Sequence, residues 1–315
     1  MKQYQVILHH YEDSPYAEKV RAMLGHGGIR WGSVLSPAMP PRPNLDPMVG
    51  GYRRIPVLQM GADLFCDSTL IALELAALAG KPEYRPQIDD AAVAALVKQA
   101  QGDAFFSVIT SVSPLKLLIT LVGKFGLVDT LRFFKDRTKM MKNATIRPPR
   151  GSAASQVFQE FLTSLDKALD GRDFLGGLSP AYADFCVYHP VHFKISISGD
   201  EACQGFPNVQ RWFAAMRDCG HGDRDELEAV HAFAAAAESE PRALPDAVED
   251  APEKAEASPL IGKQVSIAPT DYGQDPVTGE LVAVTPERFV IARVTDRFGR
   301  LHVHFPRQGY SVVEI

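Results

Sequence analysis

The chain has 315 residues, 46% of them hydrophobic and 23% charged, with a formal net charge of −5. That length exceeds one ordinary domain, and the composition is that of a globular protein. The acidic balance argues against a nucleic-acid partner held by phosphate neutralisation. Four cysteines without a CxxC pair, Cys66, Cys186, Cys203 and Cys219, do not make a disulfide scaffold and fit a reducing, cytoplasmic setting.

Tyr4 to His9 is strand-like and follows Met1 without a signal-peptide apolar region. Ser14 then caps a helix with Pro15 at its first position, and Gly27-Gly28 ends it. Ile29 to Leu35 is a second strand. Pro37 to Pro47 holds five prolines and is expected to be an irregular loop. Ile55 to Met60 and Asp63 to Cys66 form a hairpin around Gly61-Ala62, and Ser68 to Ala79 is a helix.

From 88 to 236 the chain is rich in Ala, Leu and Phe at helical spacing, with breaks at Ser113-Pro114, 147–151, Gly176-Gly177 and 205–207. Five or six helices and no strand are expected. The apolar run from Phe105 to Val122 contains Lys116 and a proline break, so it reads as buried helix and not as a membrane span. Residues 237–258 form an acidic, proline-bearing linker. Its seven acids against two bases carry a net charge equal to that of the whole chain. Residues 259–315 switch to period two, with five short strands centred on Val265, Leu281, Phe289, Leu301 and Ser311. A small all-β, barrel-like or SH3-like module is expected there, separable from what precedes it.

Three segments stand in order within the first 70 residues. Ser14-Pro15-Tyr16-Ala17-Glu18 follows Val6-Ile7-Leu8 and opens a helix. Arg54-Ile55-Pro56-Val57-Leu58 is a strand begun through a proline. Cys66-Asp67-Ser68-Thr69 joins a strand to a helix. The set resembles the glutathione-binding domain of the glutathione S-transferase family, and the likeness extends over about three quarters of the chain. It implies a thioredoxin-like α/β domain at 1–80 and an all-α domain of the family's C-terminal type at 88–236. The all-β tail is no part of the usual family pattern. Glutathione is then the co-substrate and a small apolar electrophile the acceptor, in a cytoplasmic detoxifying homodimer without membrane or nucleic-acid partners.

The resemblance also assigns roles. A hydroxyl at the positive end of a helix favours the thiolate, the reactive form of glutathione, and this falls to Ser14. Ser14 reads equally as a plain helix cap. Tyr11 competes as thiol activator; the preferred reading makes it a loop aromatic lining the acceptor pocket, with His9-His10 in exposed loop beside it. Serine in place of the cysteine of some classes speaks against a thiol transferase.

Pro56 resembles the family's cis-proline, which presents the Ile55 backbone to the cysteinyl part of glutathione. Asp67-Ser68 resembles the Glu-Ser pair that takes the γ-glutamyl end, with Asp one methylene shorter. Arg53 or Arg54 would meet the glycyl carboxylate. Ser179 is read as a substitute for the capping residue absent at Ala181. His302 and His304 share one strand face, but no third ligand is evident and no metal is expected. The alternative to an enzyme is a non-catalytic module on the same fold, holding a partner through the C-terminal strands.

Overall fold

The computed structural model describes residues 5–244 and 258–315. Tyr4 and most of the acidic linker lie outside the described residues. The N-terminal part runs β1 (Ile7–His10), α1 (Pro15–His26), β2 (Trp31–Leu35), α2 (Asp46–Val49), β3 (Val57–Met60), β4 (Asp63–Cys66) and α3 (Ser68–Leu78). β2 pairs parallel to β1; β3 and β4 follow antiparallel. The short α2 closes the proline-rich loop.

Strand alternation sends side chains to two cores. Leu8, Leu58 and Phe65 pack with α1, α3 and the helical region. Ile7, Val57, Leu64 and Cys66 point the other way, to α2 and the C-terminal strands. Both faces are covered, which is why every residue of β1 is buried, His9 and His10 included.

The helical region comprises α4 (Ala91–Gln101), α5 (Asp103–Thr110), α6 (Pro114–Met141), α7 (Ser152–Ala168), α8 (Tyr182–Ser198), α9 (Pro207–Arg217) and α10 (Ala229–Ala237). Two expectations are corrected here. Seven helical stretches run through the region, α6 broken by a kink at Gly126 (φ 76°), and a strand, β5 (Arg224–Glu226), pairs parallel with β2. Three residues are too few to show an alternation in sequence. No helix among the described residues is long and apolar enough to cross a membrane.

Ala181 has no side chain to cap α8, and Ser179 does not replace it. Ser179 Oγ instead lies 3.4 Å from His26 Nε2. Asp184 does the capping, accepting the N–H groups of Leu175, Gly176 and Ala181 at 2.8–3.0 Å and the indole N–H of Trp212 at 2.9 Å. Burial pushes its carboxyl up, and these four donors pull it back.

The tail forms β6 (Gln264–Pro269), β7 (Val277–Val284), β8 (Arg288–Thr295), β9 (Gly299–Pro306) and β10 (Tyr310–Glu314), one for each expected strand. Their placement differs from the expected separate unit. β9 pairs parallel with β4, giving one ten-stranded sheet in the order β10-β6-β7-β8-β9-β4-β3-β1-β2-β5. The core between them is shared: Leu64 and Val57 sit in one cluster with Val303, Phe305 and Ile291. An edge strand as apolar as Leu64-Phe65-Cys66 needs a cover, and β9 provides it. The first linker residues are also fixed, with Arg242 donating to Glu74 at 2.9 Å.

Candidate functional site

A cavity of about 180 Å³ opens where β4 ends and α3 begins. Its floor is Asp67, Ser68 and Thr69, and one wall is Ile55 with Pro56, joined by a cis peptide bond. Tyr16 of α1 and Gln101 of α4 line a second side. Asp271 and Tyr272, from the loop between β6 and β7, line a third.

Asp67 has φ 76°, the one non-glycine residue at positive φ among those described. Side chains avoid that region at a cost of about 1–3 kcal/mol, and such residues gather at functional sites. Asp67 Oδ1 accepts the Thr69 N–H at 2.9 Å, which caps α3, while Oδ2 accepts the Tyr310 hydroxyl at 3.2 Å.

Beneath Ser68 lies Lys19, fully buried, with Nζ donating to Ser68 Oγ at 3.4 Å and sitting 4.5 Å over the Tyr182 ring. Burial works against its charge, but Cys186, Tyr182 and Asp67 around it outweigh burial, and Lys19 stays protonated. A buried ammonium under a helix N-terminus makes the floor strongly anion-attracting.

The structure brings Arg54, Ile55, Pro56, Asp67 and Ser68 together around this cavity. Arg54 arrives already partnered. It donates to the Asp271 carboxylate and, at 2.6 Å, to the Tyr272 carbonyl, with its guanidinium 4.3 Å over the Tyr272 ring. Arg53 points away, to Asp136 and Asp275.

Ser14 and Tyr11 are not among the lining residues. Ser14 is buried and caps α1, accepting the Ala17 N–H at 3.2 Å. The pocket hydroxyl on this helix is that of Tyr16. Its ring packs against Phe105 and His189, and its hydroxyl donates to the Gln101 carbonyl at 3.4 Å. Burial pushes the phenols of Tyr16, Tyr52, Tyr272 and Tyr310 up, so all four are neutral donors at neutral pH. His9 and His10 are not loop residues but buried in β1, bonded to Gln59 at 2.8 Å and Ser33 at 3.0 Å.

Sequence reasoning passed over Tyr16, Lys19, Asp271 and Tyr272. Lys19 had a signal: it stands four residues before Met23, on the apolar stripe of α1. Asp271 and Tyr272 had none, since they reach the cavity only through the β4–β9 pairing.

A family model described as glutathione S-transferase, N-terminal domain, matches residues 8–83. The whole chain is similar to a GST-like protein from Pseudomonas syringae, at 31% identity and TM-score 0.73 over 98% of either chain. More distantly it is similar to the theta class glutathione S-transferase of Xanthomonas axonopodis pv. citri, solved with glutathione bound. That identity is 17%, over 68% of this chain and 93% of that one, with a TM-score of 0.46. A glutathione transferase family member from Pseudomonas fluorescens, with two glutathione bound, gives 18% over 68% and 89%, with a TM-score of 0.43. No curated protein matches the chain.

Proposed function

The chain belongs to the glutathione S-transferase family, and we propose that it binds glutathione in the cavity at the start of α3 and transfers the thiolate to a small apolar electrophile. The observation that carries this reading is the floor: Ser68 at a helix N-terminus, backed by the buried Lys19 cation. The γ-glutamyl carboxylate would lie on the Ser68 hydroxyl and the first N–H groups of α3, with its ammonium toward Asp67. The cysteinyl backbone would follow Ile55. The sulfur then faces the Tyr16 hydroxyl, a neutral phenol that can donate to the developing thiolate. Thiol activation therefore moves from Ser14 to Tyr16 in this reading.

Two observations favour the second reading, a non-catalytic module that holds a partner through the C-terminal strands. The cavity is below the ~300–1,000 Å³ of typical ligand pockets, and Asp271 already holds Arg54. A tripeptide needs the 270–273 loop to shift. Calorimetric titration with glutathione, paired with a turnover assay on an aryl halide electrophile, separates the two. Binding weakened about tenfold or more by Ser68→Ala, with turnover in the unmodified chain, is the expected result. Binding without turnover favours the module; no binding at millimolar glutathione removes the transferase reading and leaves only a module that holds its partner elsewhere.

A further inference from the structure

At the other end of β4 a second set of chemistry-bearing side chains meets, and the cavity uses none of it. β9 lies along β4 in the register Asp63 to His302 and Phe65 to His304. Histidines two apart on a strand share a face. Asp63 Oδ1 is 2.7 Å from His304 Nε2 and 3.9 Å from His302 Nδ1. One donor atom from each of the three lies within 4.8 Å of the others. Asp63, His302 and His304 are 1%, 6% and 5% exposed, so water does not reach them freely.

Both ring nitrogens of His302, and Nδ1 of His304, are buried without a hydrogen-bond partner among the described residues. Buried polar atoms are nearly always paired, and an orphan costs about 1–3 kcal/mol. Asp63 Oδ2 is meanwhile tied to the Arg242 backbone N–H at 2.8 Å, which fixes the carboxylate and leaves Oδ1 for the imidazoles. A ligating carboxylate is characteristically oriented by such a second bond.

We propose that Asp63 Oδ1, His302 and His304 bind a divalent first-row transition metal ion of the zinc class, and that this ion clasps β9 to β4. Two imidazoles and one carboxylate suit Zn²⁺ or Fe²⁺, whereas Mg²⁺ and Ca²⁺ want oxygen donors throughout. Three protein ligands leave a fourth position for water or a small anion. The guanidiniums of Arg242 and Arg288 stand nearby, paired with Glu74 at 2.9 Å and 2.6 Å. They oppose a dication and set the affinity below that of a site without them. The ligands come from strands far apart in sequence, so the ion would be a cross-link between the first and last parts of the chain.

The full chain, stripped with EDTA and dialysed against Zn²⁺, is the test, with bound metal counted by mass spectrometry. One saturable equivalent per chain is expected, with affinity about 100-fold or more weaker in His302→Ala. His302 makes no hydrogen bond through its ring, so this replacement leaves the fold intact by circular dichroism. Co²⁺ gives a second readout on the unmodified chain: visible d–d bands of a low-coordinate site, erased by Zn²⁺. No saturable equivalent, equal affinity in His302→Ala, or Co²⁺ without such bands overturns the proposal.

Discussion

The two ends of β4, four residues long, carry opposite problems. At the Cys66 end there is room, and the polar groups around it, Arg54 Nε excepted, are partnered with one another: Asp67 with Thr69 and Tyr310, Arg54 with Asp271. At the Asp63 end the groups are buried, yet three imidazole nitrogens have no partner among the described residues. A cavity whose charged groups are already paired binds by exchange, because the ligand must displace Asp271 or the 270–273 loop. A tight cluster with orphaned donors binds by completion, because the ligand supplies what the chain lacks. Both ends depend on the same C-terminal strands, which supply Tyr310, Asp271 and Tyr272 to one and both histidines to the other.

The harshest way to break this comparison is to remove those strands. Truncation after residue 244 uncovers Met48, Val49, Tyr52 and Leu64, buried in the shared core. At about 1.5–3 kcal/mol each, their exposure approaches the whole ~5–15 kcal/mol stability of a typical domain. The truncated chain is expected to aggregate or lose its cooperative unfolding transition. A soluble product with an unchanged melting curve means that the sheet is not continuous in solution.

Acid offers a control within the sheet. His9 is buried and bonded to Gln59, and burial lowers its pKa to about 4. It is neutral in the fold, while the unfolded chain takes up its proton near pH 6.5. Stability is therefore intact above pH 6.5 and falls as pH drops toward 4, by roughly 3 kcal/mol. Urea unfolding at pH 7 and pH 4.5 should show that loss in the unmodified chain and a smaller one in His9→Gln; equal losses refute it.

At the cavity, Tyr16→Phe is expected to lower glutathione-dependent turnover about 10²-fold with binding nearly unchanged, since the hydroxyl acts on the developing thiolate. If Tyr272→Phe alone has that effect, the activating hydroxyl comes from the C-terminal loop. Asp271→Asn should tighten glutathione binding about tenfold by calorimetry, because Arg54 is released from its internal carboxylate. Unchanged affinity would mean that Arg54 takes no part. The smallest effect is Ser14→Ala: about 1 kcal/mol of stability for a lost helix cap, with turnover within a few-fold. A large turnover loss would return the catalytic role to Ser14.

The elements of the N-terminal part are legible because their signals are local. Ser14-Pro15 starts α1, and Asp67 begins α3 where a cap is expected. The five C-terminal strands are legible in the same way, from alternation and turn residues. Their docking is not, since nothing in Leu301 to Phe305 specifies Asp63 to Phe65 as a partner. The same limit hides half of the cavity. Ile55, Pro56, Asp67 and Ser68 lie in recognisable local motifs, whereas Tyr272 arrives from a loop whose position depends on that pairing. At position 14 the structure shows the cap, with the Ala17 N–H donating to Ser14 Oγ, while Tyr16 lines the cavity. A cap hydroxyl turns inward to its own helix, and the side chain two positions on faces the cavity.

Hydrogen exchange of the full chain with and without glutathione tests the central claim, that the C-terminal strands complete a glutathione site begun by β4 and α3. Slowed exchange at residues 67–70 and, in the same titration, an altered rate across 270–273 is the predicted result. Exchange unchanged in both segments at saturating glutathione, or changed only elsewhere, would contradict it.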